Sequence, residues 1–308
     1  MSNTICGNNT ICSDALLVGN MPSQVSVDVA SLTGWESLSS GYHNITVKAK
    51  AAGYADSEPS AAVSVTKAPQ EYTDCITFTG ESSDFTLAVG SEEPKEWDGT
   101  VEYSTDHNTW TVWDGSEISS SSKKLYLRGS GNTTFYMLDG AHFVLSARAA
   151  CSGNIQTLLE YSNPPAAVAS NCYYGMFDGC KNLTQAPALP ATTLAPYCYK
   201  YMFDGCTNLL TAPALPATTL ANSCYNYMFH GCTSLTTAPA LPATTLANYC
   251  YGYMFQGCTK LKVNASSGNK IFTCPSSIPS MAVTNMFTNT GGTFKGSPTS
   301  GNTYYWTE

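Results

Sequence analysis

The residue types able to do chemistry are few and oddly placed. Thirteen cysteines are present, and eight of them fall in two evenly spaced series: Cys172, Cys198, Cys224, Cys250 and Cys180, Cys206, Cys232, Cys258. Thiols could form disulfides, hold zinc or act as nucleophiles. Zinc is disfavoured, because no CxxC pair occurs and His43, His107, His142 and His230 are scattered. The periodic placement favours buried free thiols over disulfides, since cysteine packs well as a small apolar residue. The pairing of Cys6, Cys12, Cys75, Cys151 and Cys274, which lie outside the series, stays open. Glu92, Glu93, Glu96 and Asp98 form an acidic cluster that reads as a solvated loop. Paired carboxylates could hydrolyse sugars, yet nothing favours that here. No GxSxG, HExxH, P-loop or helix-opening GxGxxG is present. The expectation is no enzyme activity and no cofactor, with a carbohydrate-active enzyme as the outlying alternative.

The elements that hold these residues follow a period of 26 positions. Cys-Tyr-x-x-Met-Phe-x-Gly-Cys opens at Cys172, Cys198, Cys224 and Cys250, and Ala-Pro-Ala-Leu-Pro-Ala-Thr-Thr-Leu-Ala recurs from Ala186, Ala212 and Ala238. Such a repeat stacks units that bury their apolar faces on one another, and it presents a surface more readily than a closed cleft. Within a unit Leu246, Cys250 and Met254 share one helical face. Pro242 suits a helix start and Gly257 a C-terminal cap. Each unit is therefore expected to be a short strand, interrupted by Pro239, and about three helical turns.

Two regions precede the repeat. Gln24–Val29, His43–Ala51 and Ala61–Lys67 alternate apolar and polar residues, the pattern of a small antiparallel sandwich. Six short strand-like runs between Glu71 and Ala150, with Trp97, Trp110, Trp113, Phe85, Tyr126 and Phe135 for a core, predict a second sandwich. The domains are read as 1–70, an N-terminal segment and first module that is incomplete or completed by another chain; 71–150, the second sandwich; 151–290, the solenoid; and 291–308, a tail or cap.

Two resemblances attach to these residues. GYHNITVKAKAAGYADSEPSAAVSVT resembles the last strands of immunoglobulin-like modules. Met228-Phe229, Gly231-Cys232, Leu235 and Leu241-Pro242, with their equivalents in other units, resemble the BspA-like (Treponema-type) leucine-rich repeats, and Val283–Phe287 resembles a related surface repeat. The fold class expected is thus multidomain: N-terminal immunoglobulin-like β-sandwich modules followed by a short leucine-rich-repeat α/β solenoid. The resemblance implies binding or display, as in surface proteins of gut and oral bacteria and structural proteins of their phages. It carries no catalytic residue.

Columns that differ between units are where recognition would be written. They are Tyr174, Lys200, Asn226 and Gly252; Asp178, Asp204, His230 and Gln256; and Asn182, Asn208, Ser234 and Lys260. The competing reading leaves them merely solvated. Asp178 and Asp204 are too few for a calcium site, so no metal is expected. The constant column Tyr173, Tyr199, Tyr225 and Tyr251 reads as packing rather than as a sugar platform.

Charge and hydropathy exclude further classes. Residues 1–171 carry a net charge of −11 and residues 172–275 one of +3, with no Lys/Arg cluster, so no nucleic-acid partner is expected. No apolar run is long enough to span a membrane. The first 20 residues have no basic n-region and no long apolar core, and do not read as a signal peptide. A phage protein needs none, because it assembles in the cytoplasm, where thiols stay reduced. The function expected is therefore a virion component (head fibre, decoration or tail-associated) at the virion surface. It would contact other virion or surface proteins through residues 1–70 and a protein or glycan ligand through the repeats, as a homo-oligomer. The alternative is an adhesin of the bacterial cell surface.

Overall fold

The computed structural model describes residues 74–90, 96–136 and 141–308, together with the backbone of four strands within 3–67. The chain divides into two compact units, Met1–Glu71 and Tyr72–Glu308. In the first, β1 (Asn3–Cys6), β2 (Thr10–Ser13), β3 (Gly41–Ala49) and β4 (Val63–Lys67) form one sheet in that order. The alternating runs around His43 and Val63 supply β3 and β4, which pair antiparallel, but β2 and β3 run parallel. This mixed sheet replaces the antiparallel immunoglobulin-like sandwich expected there. The third alternating run, Gln24–Val29, lies outside the described residues.

The second unit begins with short strands: β5 (Ile76–Gly80), β6 (Thr86–Val89), β7 (Glu96–Trp97), β8 (Thr100–Ser104) and β9 (Thr111–Val112). β10 (Ile118–Ser119), β11 (Lys124–Ser130), β12 (Phe135–Tyr136), β13 (Phe143–Leu145) and β14 (Ala149–Ser152) follow. Ile76, Phe78, Leu125, Leu127 and Cys151 of one sheet share a core with Leu87, Phe143 and Leu145 of a smaller sheet, β10-β6-β13. Alternation sets this up: β11 reads intermediate–buried along its length, one side packed and one side wet. β14 then pairs in parallel with β15 (Leu183–Gln185), so the larger sheet, β15-β14-β5-β11-β8-β9, runs on into the first repeat unit.

The repeat units contain no α-helix, nor does any other described residue; the one helical element among the described residues is a single 3-10 turn at Ile155–Leu158. The expected α/β leucine-rich-repeat solenoid is therefore overturned, and the architecture is all-β. In place of a helix, each unit runs through consecutive tight turns. In the second unit the N–H groups of Cys198, Lys200, Met202, Asp204 and Cys206 donate to the carbonyl three residues back, at 3.1–3.3 Å. The intervening N–H groups of Tyr197, Tyr199, Tyr201, Phe203 and Gly205 donate to Asn222, Cys224, Asn226, Met228 and His230 of the next unit, at 2.8–3.1 Å. A left-handed residue recurs every fourth position, at Tyr197, Tyr201 and Gly205.

This explains why the pattern looks helical. Four residues of an α-helix overshoot a full turn by about 40°, so a face defined every fourth residue drifts around the helix axis. A four-residue turn period does not drift. Cys198-Tyr199, Met202-Phe203 and Cys206 all stay in the core, each no more than 1% exposed. The turns also leave half of their N–H groups to be satisfied by a neighbour, so a unit is held only by stacking.

The rings stack with the units. A column through Trp113, Trp97, Phe135, Tyr173, Tyr199, Tyr225, Tyr251, Phe272 and Tyr304 keeps successive centroids 5.2–6.3 Å apart. A second, from Phe143 through Phe177, Phe203, Phe229 and Phe255 to Phe287, keeps 5.4–5.8 Å. Both columns begin among the strands β7–β13 of the second compact unit. They end against a last sheet of β16 (Lys262–Asn264), β17 (Asn269–Thr273), β18 (Gly291–Gly292) and β19 (Thr303–Thr307), so each end of the stack is covered by sheet.

Candidate functional site

The repeated cysteines sit at the wrong place for chemistry. All eleven described cysteines are free and buried, whereas the side chains of Cys6 and Cys12 lie outside the described residues. The Sγ of Cys206, Cys232 and Cys258 donates to the main-chain carbonyl of Phe177, Phe203 and Phe229 in the preceding unit, at 3.0–3.1 Å. Burial pushes the Cys198 thiol up to about 12 and that of Cys250 up to about 11. The thiolate needed for nucleophilic attack or metal ligation is thereby disfavoured. Among the described residues no group of three or more His, Cys, Asp and Glu is placed to hold a metal ion. Within the acidic cluster, Glu92 and Glu93 lie outside the described residues, and Asp98 accepts hydrogen bonds from Thr133, which lower its pKa.

The columns that differ between units are spread over several environments. Tyr174 and Lys200 are half-buried, while Asn226 is 4% exposed and its Nδ2 donates to the Gly252 carbonyl at 2.9 Å. Asp178, Asp204, His230 and Gln256 are half-buried, and His230 Nδ1 lies 2.7 Å from Asp204 Oδ1. That hydrogen bond raises the His230 pKa, while burial and then the Asp204 charge raise that of Asp178. Asn182 and Asn208 donate to the carbonyls of Leu145 and Lys181, and Ser234 is half-buried. Lys260 is exposed and lines an open groove of about 730 Å³ with Lys262, Thr237, Thr259 and Trp306.

The described surface is richest in aromatic rings beside the first of these columns, at positions the sequence pattern did not single out. The constant tyrosines (Tyr173, Tyr199, Tyr225 and Tyr251) are at most 1% exposed. Five other tyrosines of the units reach solvent from left-handed positions of the turns. Tyr201, Tyr227 and Tyr253 form one row, with φ of 58–60° and ring centroids 5.0 and 4.5 Å apart. Tyr197 and Tyr249 form a second row, each 42% exposed, with the 7%-exposed Ser223 between them. Asn226 and Gly252 floor the space between the rows. A Cβ on Gly252 would come within 2.9 Å of Asn226 Nδ2 and 3.1 Å of the Met281 carbonyl, so a larger residue there would have to displace the Asn226 amide. Lys200 Nζ lies 5.0 Å from the Tyr201 ring centroid, 5.6 Å from Tyr197 and 5.9 Å from Tyr174. Burial beneath these rings lowers its pKa. Tyr201, Tyr227 and Tyr253 fall in an unconserved slot of the repeat phrase. A signal was present all the same: tyrosine recurs there in three units in a row.

Fold and surface together define an all-β protein of stacked turns with one tyrosine-lined side. In comparisons with known proteins, no family model, no curated protein and no solved structure matches the chain. The resemblance to BspA-like leucine-rich repeats is thereby corrected: no family model matches, and the units lack the helix that such repeats carry. No helix among the described residues is long and apolar enough to cross a membrane.

Proposed function

We infer that the chain is a non-enzymatic structural and binding protein: a phage virion component that turns the tyrosine side of its stacked units to the bacterial surface and joins other virion proteins through residues 1–70. The observation that carries this reading is the concentration of solvent-reaching tyrosines on one side of a stack whose remaining aromatic columns are buried. Tyrosine suits recognition because it joins a large apolar face to a hydroxyl that hydrogen-bonds. The buried, unpaired thiols support the virion reading over an exported adhesin. A chain folded in an oxidising compartment would expose its cysteines to pairing as it folded.

The test is to purify virions of the phage encoding the chain, detect the chain by mass spectrometry, and challenge adsorption with the free protein. The expected result is stoichiometric recovery in the particle and fewer adsorbed particles when free protein is added. Recovery from washed bacterial envelopes and absence from virions would overturn the reading in favour of a cell-surface adhesin.

A further inference from the structure

The tyrosines of the two rows stand where tyrosine is a poor choice for folding. A left-handed backbone costs a side chain with a Cβ, and glycine and asparagine tolerate it best. The chain supplies its own comparison. The column of Tyr201, Tyr227 and Tyr253 begins at Gly175 (φ 60°) and ends at Asn285 (φ 52°). The column of Tyr197 and Tyr249 begins at Asn171 (φ 60°), has Ser223 (φ 54°) in its middle and ends at Met281 (φ 56°). In the first column the units at both edges therefore take the residues the backbone favours, and the three units between them take bulky rings. Strain kept in one patch and avoided beside it points to a use for the rings.

The geometry points to a neutral glycan as the ligand of this surface, with a sugar ring seated over Ser223 between Tyr197 and Tyr249 and the chain continuing over Asn226 and Gly252 along the Tyr201–Tyr227–Tyr253 row. This inference rests on reading the tyrosine side as the attachment surface. Tyr197 and Tyr249 are two units apart, and one unit step in the adjoining Tyr199–Tyr225–Tyr251 column is 5.9–6.0 Å. Two such steps leave space for one saturated ring against aromatic walls. Phenol hydroxyls and ring edges along the Tyr201–Tyr227–Tyr253 row, whose faces pack on one another, meet the hydroxyls of a sugar, and the rings of Tyr197 and Tyr249 meet its C–H groups. The charge argues for a neutral polymer. Among the described residues the one cation at this surface, Lys200, already lies over three tyrosine rings. The flanking column places Asp178 and Asp204 where a polyanion would be repelled.

The test uses the full chain in affinity electrophoresis against dextran, mannan, galactan and laminarin, with polygalacturonate as the charged comparison, and in parallel a sedimentation assay with host cells. Retardation is expected with at least one uncharged polymer. The double substitution Tyr197→Asn with Tyr249→Asn should weaken that binding by roughly tenfold or more and leave Tm unchanged or raised, since Asn171 stands in the same column. A merely structural role for the rings predicts a lower Tm instead. Ser223→Asn, which fills the space between the rings, should weaken binding by a similar factor. Leu210→Asn, at an exposed position outside the two rows, should bind as the unmodified chain does. Retardation by polygalacturonate alone, by no polymer, or equally by all variants overturns the assignment. If cells are still bound while every polymer fails, the partner is a surface protein and the attachment reading stands. If cells are not bound either, both fall.

Discussion

His230 and Asp204 join two neighbouring units through one hydrogen bond of 2.7 Å, and its energy depends on pH. The Asp204 carboxylate raises the His230 pKa above its ordinary 6.5, so the folded chain holds a proton that the unfolded chain releases first. The stabilisation is fully present below the unfolded value and is lost as pH rises through the folded one. The imidazole is more than a third exposed, so solvent screening holds the effect to about 0.5 kcal/mol or less. Thermal melts between about pH 6 and about pH 8 should show a small fall in Tm that His230→Gln removes. Glutamine is a fair replacement because Gln256 occupies the same column in the next unit. An equal fall in the variant would place the pH dependence on another group. The thiols show the opposite relation between residue and site. Their burial and their bonds to phenylalanine carbonyls make them parts of the packing, as constancy from unit to unit suggests.

At the scale of the element, the turn is defined by its left-handed residues. Gly179, Gly205, Gly231 and Gly257 hold φ between 66° and 78°, and Asn289 takes the equivalent place at 57°. A Cβ on Gly205 would meet Gly179 Cα at 3.6 Å, an ordinary contact, so Gly205→Ala meets only the backbone cost of about 1–2 kcal/mol. Gly205→Asn should lose less. Gly153 also has a positive φ of 85°, but a Cβ there would overlap the Cys75 main-chain carbonyl, so Gly153→Ala should lose more than about 3 kcal/mol. Urea unfolding of the three variants checks the order, and equal losses at positions 153 and 205 would refute it. These glycines were legible in the sequence as left-handed positions, because they never vary among the four units. The element around them was not. Buried residues at Cys250, Met254 and Cys258 recur every four positions, and a period of 4.0 is hard to tell from 3.6 over so short a segment. What separates helix from turn is where the backbone bonds go, and bonds to a unit 25 residues ahead leave no mark on local pattern. The candidate surface was half legible for the same reason. Lys200, Asn226 and Gly252 stand out in the sequence because they differ between units, whereas Tyr197, Tyr201, Tyr227, Tyr249 and Tyr253 come together only once the turns put every fourth residue outside.

Across Tyr72–Glu308 the same bond pattern makes the stack cooperative. A helix satisfies its interior backbone bonds internally, whereas each of these units leaves alternate N–H groups to the next one. Stability then lies largely in the interfaces between units. Such a stack tolerates a change of length by a whole period. Removing Ala212–Thr237 takes out one 26-residue unit and joins Thr211 to Ala238, where the same Ala-Pro-Ala-Leu-Pro-Ala-Thr-Thr-Leu-Ala phrase begins. Tyr199 would then stack on Tyr251, and Phe203 on Phe255, as each does on its present neighbour. The shortened chain should give the near-ultraviolet circular dichroism of packed rings and a single thermal transition, with Tm lowered because one interface is lost. Removing Ala212–Cys224 alone takes half a period and sets the exposed columns against the buried ones. That chain should show no cooperative transition. If both deletions melted alike, the units would be independent of one another, and the stacked main-chain bonds would not be what holds them.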